Sequence, residues 1–167
     1  EWSVALGSRI TSPPITTADQ VLVTYASGSG GGVAAVNFDG ELEWKAEAGS
    51  APGSAALTDE GVVSVSSDGL THVDFNGTKK WTKAIGSTSS DSSVIAVDGM
   101  SYVVTSEGGS KITAVDSDGA VAWTKNIAGA SILGAPSISN GSMYLPSSDG
   151  SLLAYSFVDL QREDGGN

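Results

Sequence analysis

The stretch AVDSDGAVAWTK, residues 114–125, places an Asp-Gly pair between two short apolar runs, the second of which ends at Trp123. Asp-Gly pairs favour the positive φ angles of a type I′ turn, whose twist matches that of the flanking strands. Asp116 and Asp118 could also begin a calcium loop. Such a loop needs a glutamate ligand at its twelfth position, where this chain has Ile127. The pattern therefore predicts a β-hairpin.

The same phrase occurs twice more, upstream of this one. Residues 35–40 read AVNFDG and residues 72–77 read HVDFNG, and four residues after each glycine stands a tryptophan, Trp44 or Trp81. With Trp2, consecutive tryptophans are 42, 37 and 42 residues apart. A repeat of about 40 residues explains all three turns together, whereas a calcium site explains one of them.

Each repeat contains further short runs of β-forming residues separated by turns. In the second repeat, turns at Asp59 and Asp68 separate such runs, and equivalent turns follow at Asp98 and Asn140. Four antiparallel strands in about 40 residues are typical of one β-propeller blade. We predict an all-β propeller of four-stranded antiparallel blades, four per chain, in one domain of residues 1–160. The expected blades span about 11–48, 49–86, 87–127 and 128–158.

The pattern of strand, Asp-Gly turn and strand ending in tryptophan resembles the PQQ-like β-propeller repeat, the quinoprotein type that also builds BamB-like proteins. The resemblance covers nearly the whole chain. It implies rings that usually have seven or eight blades, whereas this chain supplies four. Three arrangements stay open: a small four-bladed ring, an eight-bladed ring made by two chains, or half of a longer polypeptide.

The two ends of the sequence depart from the repeat. Residues 1–7, with Trp2, read as an outer strand that has no unit before it, so we expect this N-terminal strand to complete the fourth blade of its own chain or of a second copy. The fourth unit has Phe157 where its turn should begin and Glu163 where a tryptophan is due. Residues 161–167 are predicted to form a polar tail.

Charge and composition exclude several classes of protein. With 8 basic and 19 acidic residues the net charge is −11, which disfavours nucleic acid as a partner because phosphate binding needs clustered Lys and Arg. No run approaches the ~18 apolar residues of a membrane helix, so we do not expect a membrane-embedded protein. The absence of cysteine excludes disulfides and thiolate metal sites.

The sequence assigns no catalytic, cofactor-binding or metal-binding residue. His72 is the only histidine, so neither a zinc site nor a Ser-His triad is predicted. Residues 27–32 are rich in Ser and Gly but lack the Gly-Lys-Ser/Thr ending of a phosphate loop. The resemblance to quinoprotein dehydrogenases implies a quinone beside calcium, a catalytic Asp and often vicinal cysteines. Since the cysteines are missing, no such site is carried over and no cofactor is expected.

The expected function is a non-catalytic binding or scaffold propeller outside the cytoplasm, which recognises a protein or a surface polymer such as a polysaccharide. One alternative is a half-ring of a quinone- and calcium-dependent dehydrogenase; another is a purely structural cell-surface repeat. A homodimer would complete the ring. The register of the tryptophans predicts that they pack between blades rather than stack on sugars. One face of the propeller includes the turns near Asp59, Asp98 and Asn140, and the sequence does not choose between the faces.

Overall fold

The computed structural model describes residues 1–28, 30–50, 52–86, 88, 92–105 and 109–162. These residues form sixteen β-strands and one short helix, and the strands lie in four antiparallel sheets. The all-β class and the four blades predicted from the sequence are confirmed. Each sheet is built from consecutive strands, because short turns join neighbours in the chain.

The sheets are numbered in chain order. Sheet 1 contains β1 (Arg9–Ile10), β2 (Ile15–Thr16), β3 (Gln20–Ser27), β4 (Gly30–Asn37) and β5 (Leu42–Glu47), with β1 and β2 both paired to β3. Sheet 2 contains β6 (Ala55–Leu57), β7 (Gly61–Ser66), β8 (Gly69–Asp74) and β9 (Lys79–Lys83). Sheet 3 contains β10 (Ser93–Val97), β11 (Met100–Thr105), β12 (Ser110–Val115) and β13 (Val121–Ile127). Sheet 4 contains β14 (Ser137–Ser139), β15 (Ser142–Pro146) and β16 (Leu152–Ser156).

The inner and outer hairpins of the sheets use different turns. Asp98 and Asn140 have φ of 50° and each precedes a glycine of positive φ, which defines type I′ turns between the inner strands. The type I′ prediction is wrong for the three repeated phrases, because the glycine alone has positive φ there: 87° at Gly40, 82° at Gly77 and 83° at Gly119. The strand register shifts beside each of these turns, as it does at a β-bulge.

The first polar residue of each phrase holds its turn. Oδ1 of Asp116 accepts hydrogen bonds from the backbone N–H of Asp118 at 3.1 Å and of Ala120 at 2.8 Å. Asp74 and Asn37 accept the same pair of bonds in sheets 2 and 1. The structure thus confirms a hairpin at residues 114–125, and one oxygen of Asp116 is committed to the turn rather than to a cation.

Each tryptophan of sheets 1 and 2 reaches the outer turn of the following sheet. Nε1–H of Trp44 donates to the carbonyl of Phe75 at 2.9 Å, and Nε1–H of Trp81 donates to the carbonyl of Ser117 at 2.8 Å. The indole covers the turn glycine so closely that a Cβ at Gly77 would lie 2.8 Å from the ring of Trp44. These tryptophans pack between blades, as the sequence predicts.

Hydrophobic clusters join the sheets in succession. Because side chains alternate along a strand, Val62 faces sheet 1 while Val63 faces sheet 3. The cluster between sheets 1 and 2 contains Leu22, Val33, Ala35, Ala46, Ala48, Val62 and Val73. The next contains Val63, Val65, Leu70, Ile85, Val94, Val103 and Val115. The cluster between sheets 3 and 4 includes Tyr102, Val104, Ile112, Ala114, Met143 and Leu145.

Sheet 4 differs from the prediction. Among the residues that the structure describes it has three strands, and residues 1–6 form no strand and pair with none of them. The expectation that residues 1–7 form a strand completing the fourth blade of the same chain is therefore corrected. Trp2 lies against sheet 1, where its Nε1–H donates to the carbonyl of Phe38 at 2.8 Å. Trp44 and Trp81 each donate the same kind of hydrogen bond to the outer turn of the next sheet in the chain.

The chain after β16 turns into the helix α1 (Phe157–Gln161). Its Leu160 is buried in the cluster between sheets 3 and 4, and its Phe157 ring lies 5.3 Å from that of Tyr102. A helix replaces the outer turn because this repeat lacks the Asp-Gly phrase, and the side chain of Ser156 caps it by accepting from the N–H of Asp159. The predicted tail begins inside this helix at Gln161, and residues 163–167 lie outside the described residues.

Candidate functional site

The ends of the sheets that carry the inner and outer hairpin turns form one surface, called here the turn face: residues 17–20, 37–41, 58–61, 74–78, 98–99, 116–120 and 140–141. Carboxylates are concentrated on it, at Asp19, Asp39, Glu41, Asp59, Glu60, Asp74, Asp98, Asp116 and Asp118. The opposite ends of the strands carry both signs of charge, including Glu47, Asp68, Arg9 and Lys111. The turn face is therefore the strongly acidic end of the described chain.

A cleft of about 190 Å³ opens on the turn face between sheets 2 and 3. His72 and Trp81 line it from sheet 2, together with the carboxylates of Asp59, Glu60 and Asp116. The cleft combines an aromatic wall with three acidic groups, an arrangement that suits a cationic side chain better than an anion.

Sheets 1 and 2 differ at one position beside these inter-sheet spaces. Gly61 is paired with Asp74 in sheet 2 as Gln20 is paired with Asn37 in sheet 1. The side chain of Gln20 crosses to sheet 2 and donates to the carbonyl of Phe75 at 3.2 Å, so it occupies the equivalent space between sheets 1 and 2. Gly61 has no side chain to do the same between sheets 2 and 3.

His72 forms the floor of the cleft as a neutral group. It is 3 % exposed, its Nε2 lies 3.2 Å from Oγ1 of Thr58, and its ring centroid is 5.4 Å from that of Trp81. Burial lowers the pKa of His72 below its ordinary value, and the nearby carboxylate of Glu60 acts in the opposite direction. The imidazole is therefore uncharged at neutral pH. The charged groups that act on it are the carboxylates of Glu60 and Asp74 and the ammonium of Lys80, which pairs with Asp74 at 3.0 Å.

The described residues of this site do not form a metal-ligand cluster. Across the described ranges, no group of three or more His, Asp or Glu side chains is placed to hold a metal ion. Calcium beside a quinone would need several oxygen ligands around one point. The described residues do not fit such a group.

A groove of about 650 Å³ lies at the opposite ends of the sheets, where the inner strands of all four begin. Hydroxyl groups cross between sheets there: Oγ of Ser93 donates to the carbonyl of Gly134 at 3.0 Å, and Oγ of Ser54 accepts from the N–H of Val94 at 3.2 Å. The residues lining this groove are uncharged. Its hydroxyls hold neighbouring sheets together, and the acidic cleft is the more distinctive site.

Sequence reasoning grouped the inner turns on one face, but it did not choose a binding face and did not find the cleft. The turns near Asp59, Asp98 and Asn140 do lie at the same ends of their sheets. The cleft went unrecognised because it exists only where sheets 2 and 3 meet. Two signals in the repeat could have indicated it: His72 stands where the other three repeats have alanine, and Gly61 stands where the first has Gln20.

The fold defines the class of protein: a β-propeller built from PQQ-like repeats. The chain belongs to the family described as outer membrane protein assembly factor BamB, whose model matches residues 1–99 and 69–163. The family supports a scaffold or binding role for the propeller. Within the described residues, the one helix is too short to cross a membrane.

Solved structures agree with this fold. BamB from Moraxella catarrhalis is 16% identical with a TM-score of 0.69, and the match covers 87% of this chain and 43% of that one. The computationally designed Ika4 protein is 16% identical with a TM-score of 0.71, covering 91% of this chain and 93% of that one. The designed Ika8 protein is 15% identical with a TM-score of 0.70, covering 89% and 46%. The chain thus spans less than half the length of the BamB structure. No curated protein sequence matches it.

Proposed function

We propose that this chain is a non-catalytic binding propeller that acts outside the cytoplasm and recognises a basic segment of a protein partner through its turn face. The observation that carries the proposal is the cleft between sheets 2 and 3, where Trp81 lies beside the carboxylates of Asp59, Glu60 and Asp116. A lysine or arginine side chain entering it would meet an aromatic ring and opposite charge together.

The surrounding charge supports the same kind of partner. Carboxylates at the turns of sheets 1, 2 and 3 extend the acidic surface well beyond the cleft, and the whole chain has a net charge of −11. Such a field attracts a basic partner and accelerates its association in a salt-dependent way. It repels nucleic acid and other polyanions.

The family supports the non-catalytic role and the location. Its description names an outer membrane assembly factor, which is a function of binding and assembly outside the cytoplasm. A dehydrogenase half-ring is not favoured, because the described residues do not fit a calcium–quinone site. A purely structural repeat would not account for the acidic cleft.

A titration with a short basic peptide tests the proposal. Isotope-labelled protein is titrated with the peptide Gly-Arg-Gly-Arg-Gly at low salt, and the indole N–H resonances of the tryptophans are followed by NMR. The signal of Trp81 should shift in a saturable way, whereas that of Trp123, between sheets 3 and 4, should not. The peptide Gly-Glu-Gly-Glu-Gly should produce no shift.

Two variants with the same change in charge locate the binding. Glu60→Gln removes a carboxylate from the cleft, and Glu47→Gln removes one from the opposite end of sheet 1. We expect affinity for the basic peptide to fall about 3- to 10-fold in Glu60→Gln and less than twofold in Glu47→Gln, as for one partly desolvated charge pair. Equal losses in both variants, or no saturable shift of Trp81, would overturn the proposal in favour of a structural repeat.

A further inference from the structure

A second cavity, of about 170 Å³, opens on the turn face beside the acidic cleft. It lies between the inner strands β6 and β10, whereas the cleft lies farther out, against β8 and β9. Thr58, Asp59 and Gly99 line both cavities. The two cavities therefore form one groove between sheets 2 and 3, in which the cleft is called here the outer lobe and the second cavity the inner lobe.

The inner lobe has apolar walls and an acidic rim. Asp59 and Asp98 are exposed at its rim, one in the inner turn of each sheet. The apolar residues that line it are Leu57, Ala96, Val97 and Met100. An aliphatic chain that ends in a positive charge suits such a cavity, because the chain covers apolar surface while the charge stays in water beside the carboxylates. A lysine side chain has this form.

The carboxylates of the inner lobe are available to a partner. Within the described residues, the one salt bridge joins Lys80 to Asp74 at 3.0 Å and involves neither Asp59 nor Asp98. That pairing also offsets the positive charge of Lys80 at this end of sheet 2. The two carboxylates thus leave unbalanced negative charge at the rim, which attracts a cation from solution.

The backbone holds Asp98 in place at this rim. Asp98 and Gly99 have φ of 50° and 73° and form a two-residue type I′ turn, across which Val97 pairs with Met100. Asn140 has the same φ of 50° in the corresponding turn of sheet 4. Asparagine can therefore replace Asp98 without altering the turn, and this change removes one charge of the inner lobe selectively.

The distance between the lobes sets the spacing of the side chains that fill them. In sheet 2 the inner lobe lies at β6 and the outer lobe at β8, two strands away. Neighbouring strands are ~4.8 Å apart, so the lobes are separated by about 10 Å. A segment in the polyproline II conformation advances ~3.1 Å per residue and brings residues i and i+3 to the same side, about 9 Å apart. This spacing matches the two lobes.

We propose that the turn face recognises two cationic residues spaced three apart in a partner protein, with one in the outer lobe beside Trp81 and a lysine in the inner lobe beside Asp98. This inference rests on the proposed function, because it specifies the basic segment that the cleft would bind. Once the first side chain is bound, the second is held close to its own lobe, so the pair binds more tightly than either residue alone.

Two peptides with the same composition and charge test the spacing. Gly-Lys-Gly-Gly-Lys-Gly places its lysines three residues apart, and Gly-Gly-Lys-Lys-Gly-Gly places them side by side. Each is titrated at the same ionic strength, and the indole N–H signal of Trp81 is followed by NMR. We expect the spaced peptide to bind about 5- to 10-fold more tightly. In Asp98→Asn the two affinities should agree within about twofold, whereas the control Asp39→Asn, which removes a carboxylate from the turn face at sheet 1, should keep the difference.

Equal binding of the two peptides to the native chain, or a difference that Asp98→Asn leaves unchanged, overturns the inference. A difference that Asp39→Asn also abolishes would show that the field of the whole turn face selects the peptide, which overturns it as well. In each of these cases a saturable shift of Trp81 keeps the proposed function, with one cationic residue sufficient for binding. If neither peptide shifts Trp81, the proposed function and the inference both fail.

Discussion

Replacing Gly77 by alanine should destabilise the protein mainly through Trp44, and the structure provides a matched control. Gly77 has φ of 82°, and a Cβ there would lie 2.8 Å from the indole of Trp44. Gly141 has a similar φ of 69° but no atom within 4 Å of its Cβ position. Gly141→Ala therefore measures the backbone strain alone, and Gly77→Ala adds the displaced tryptophan.

The size of the effect follows from separate contributions. An alanine in the left-handed region costs about 1 kcal/mol. Moving the indole of Trp44 also breaks its 2.9 Å hydrogen bond to Phe75, which contributes about 1 kcal/mol. Re-exposing about 40–60 Å² of the ring adds about 1–1.5 kcal/mol. We expect a loss of about 3 kcal/mol for Gly77→Ala and about 1 kcal/mol for Gly141→Ala.

Urea unfolding followed by circular dichroism measures both losses of free energy, and thermal melts give a second measure of them. For a domain of this size the thermal midpoint should fall by about 6–12 °C for Gly77→Ala and by about 2–4 °C for Gly141→Ala. All samples need the same protein concentration, because association between copies would make the midpoint depend on it.

A double-mutant cycle isolates the contact between glycine and tryptophan. In a Trp44→Ala background, Gly77→Ala should cost about 1 kcal/mol, as Gly141→Ala does, because no indole remains to be displaced. If Gly77→Ala costs the same with and without Trp44, or no more than Gly141→Ala in the native background, the packing of tryptophan on the turn does not stabilise the blades as argued here.

Two further predictions concern side chains. The pKa of His72 is lowered in the folded state, so the unfolded chain binds a proton first as the pH falls. His72 therefore adds stability above about pH 6.5, and this stability is lost as the pH falls towards the folded pKa. In His72→Gln, thermal melts between about pH 6.5 and 5 should show a flatter dependence of the midpoint on pH. Asp74→Asn should keep the outer turn of sheet 2 and cost under about 1 kcal/mol in urea unfolding, because Asn37 makes the same two hydrogen bonds in sheet 1. Asp74→Ala loses both bonds and should cost about 1–2 kcal/mol. Equal costs for the two variants would contradict the role of Asp74 in holding the turn.

Much of the fold could be predicted because its determinants are local. The repeated turns, their glycines and the tryptophan four residues later each act within a few residues, so the sequence alone determined the strand order, the four blades and the all-β class. The turn type was mispredicted because the side chains of Asn37, Asp74 and Asp116 bond to the backbone and select a bulged turn. An Asp-Gly dipeptide by itself does not reveal that competition.

The site and the chain ends were decided by contacts between distant residues. The cleft exists because sheet packing brings Asp116 of sheet 3 to the same space as His72 of sheet 2. The place of Trp2 depends on which sheet offers a free turn to its indole. Local sequence determines each blade, since its hydrogen bonds join neighbouring strands; only the assembled sheets determine which surfaces meet and which remain open, because burial is a property of the whole packing.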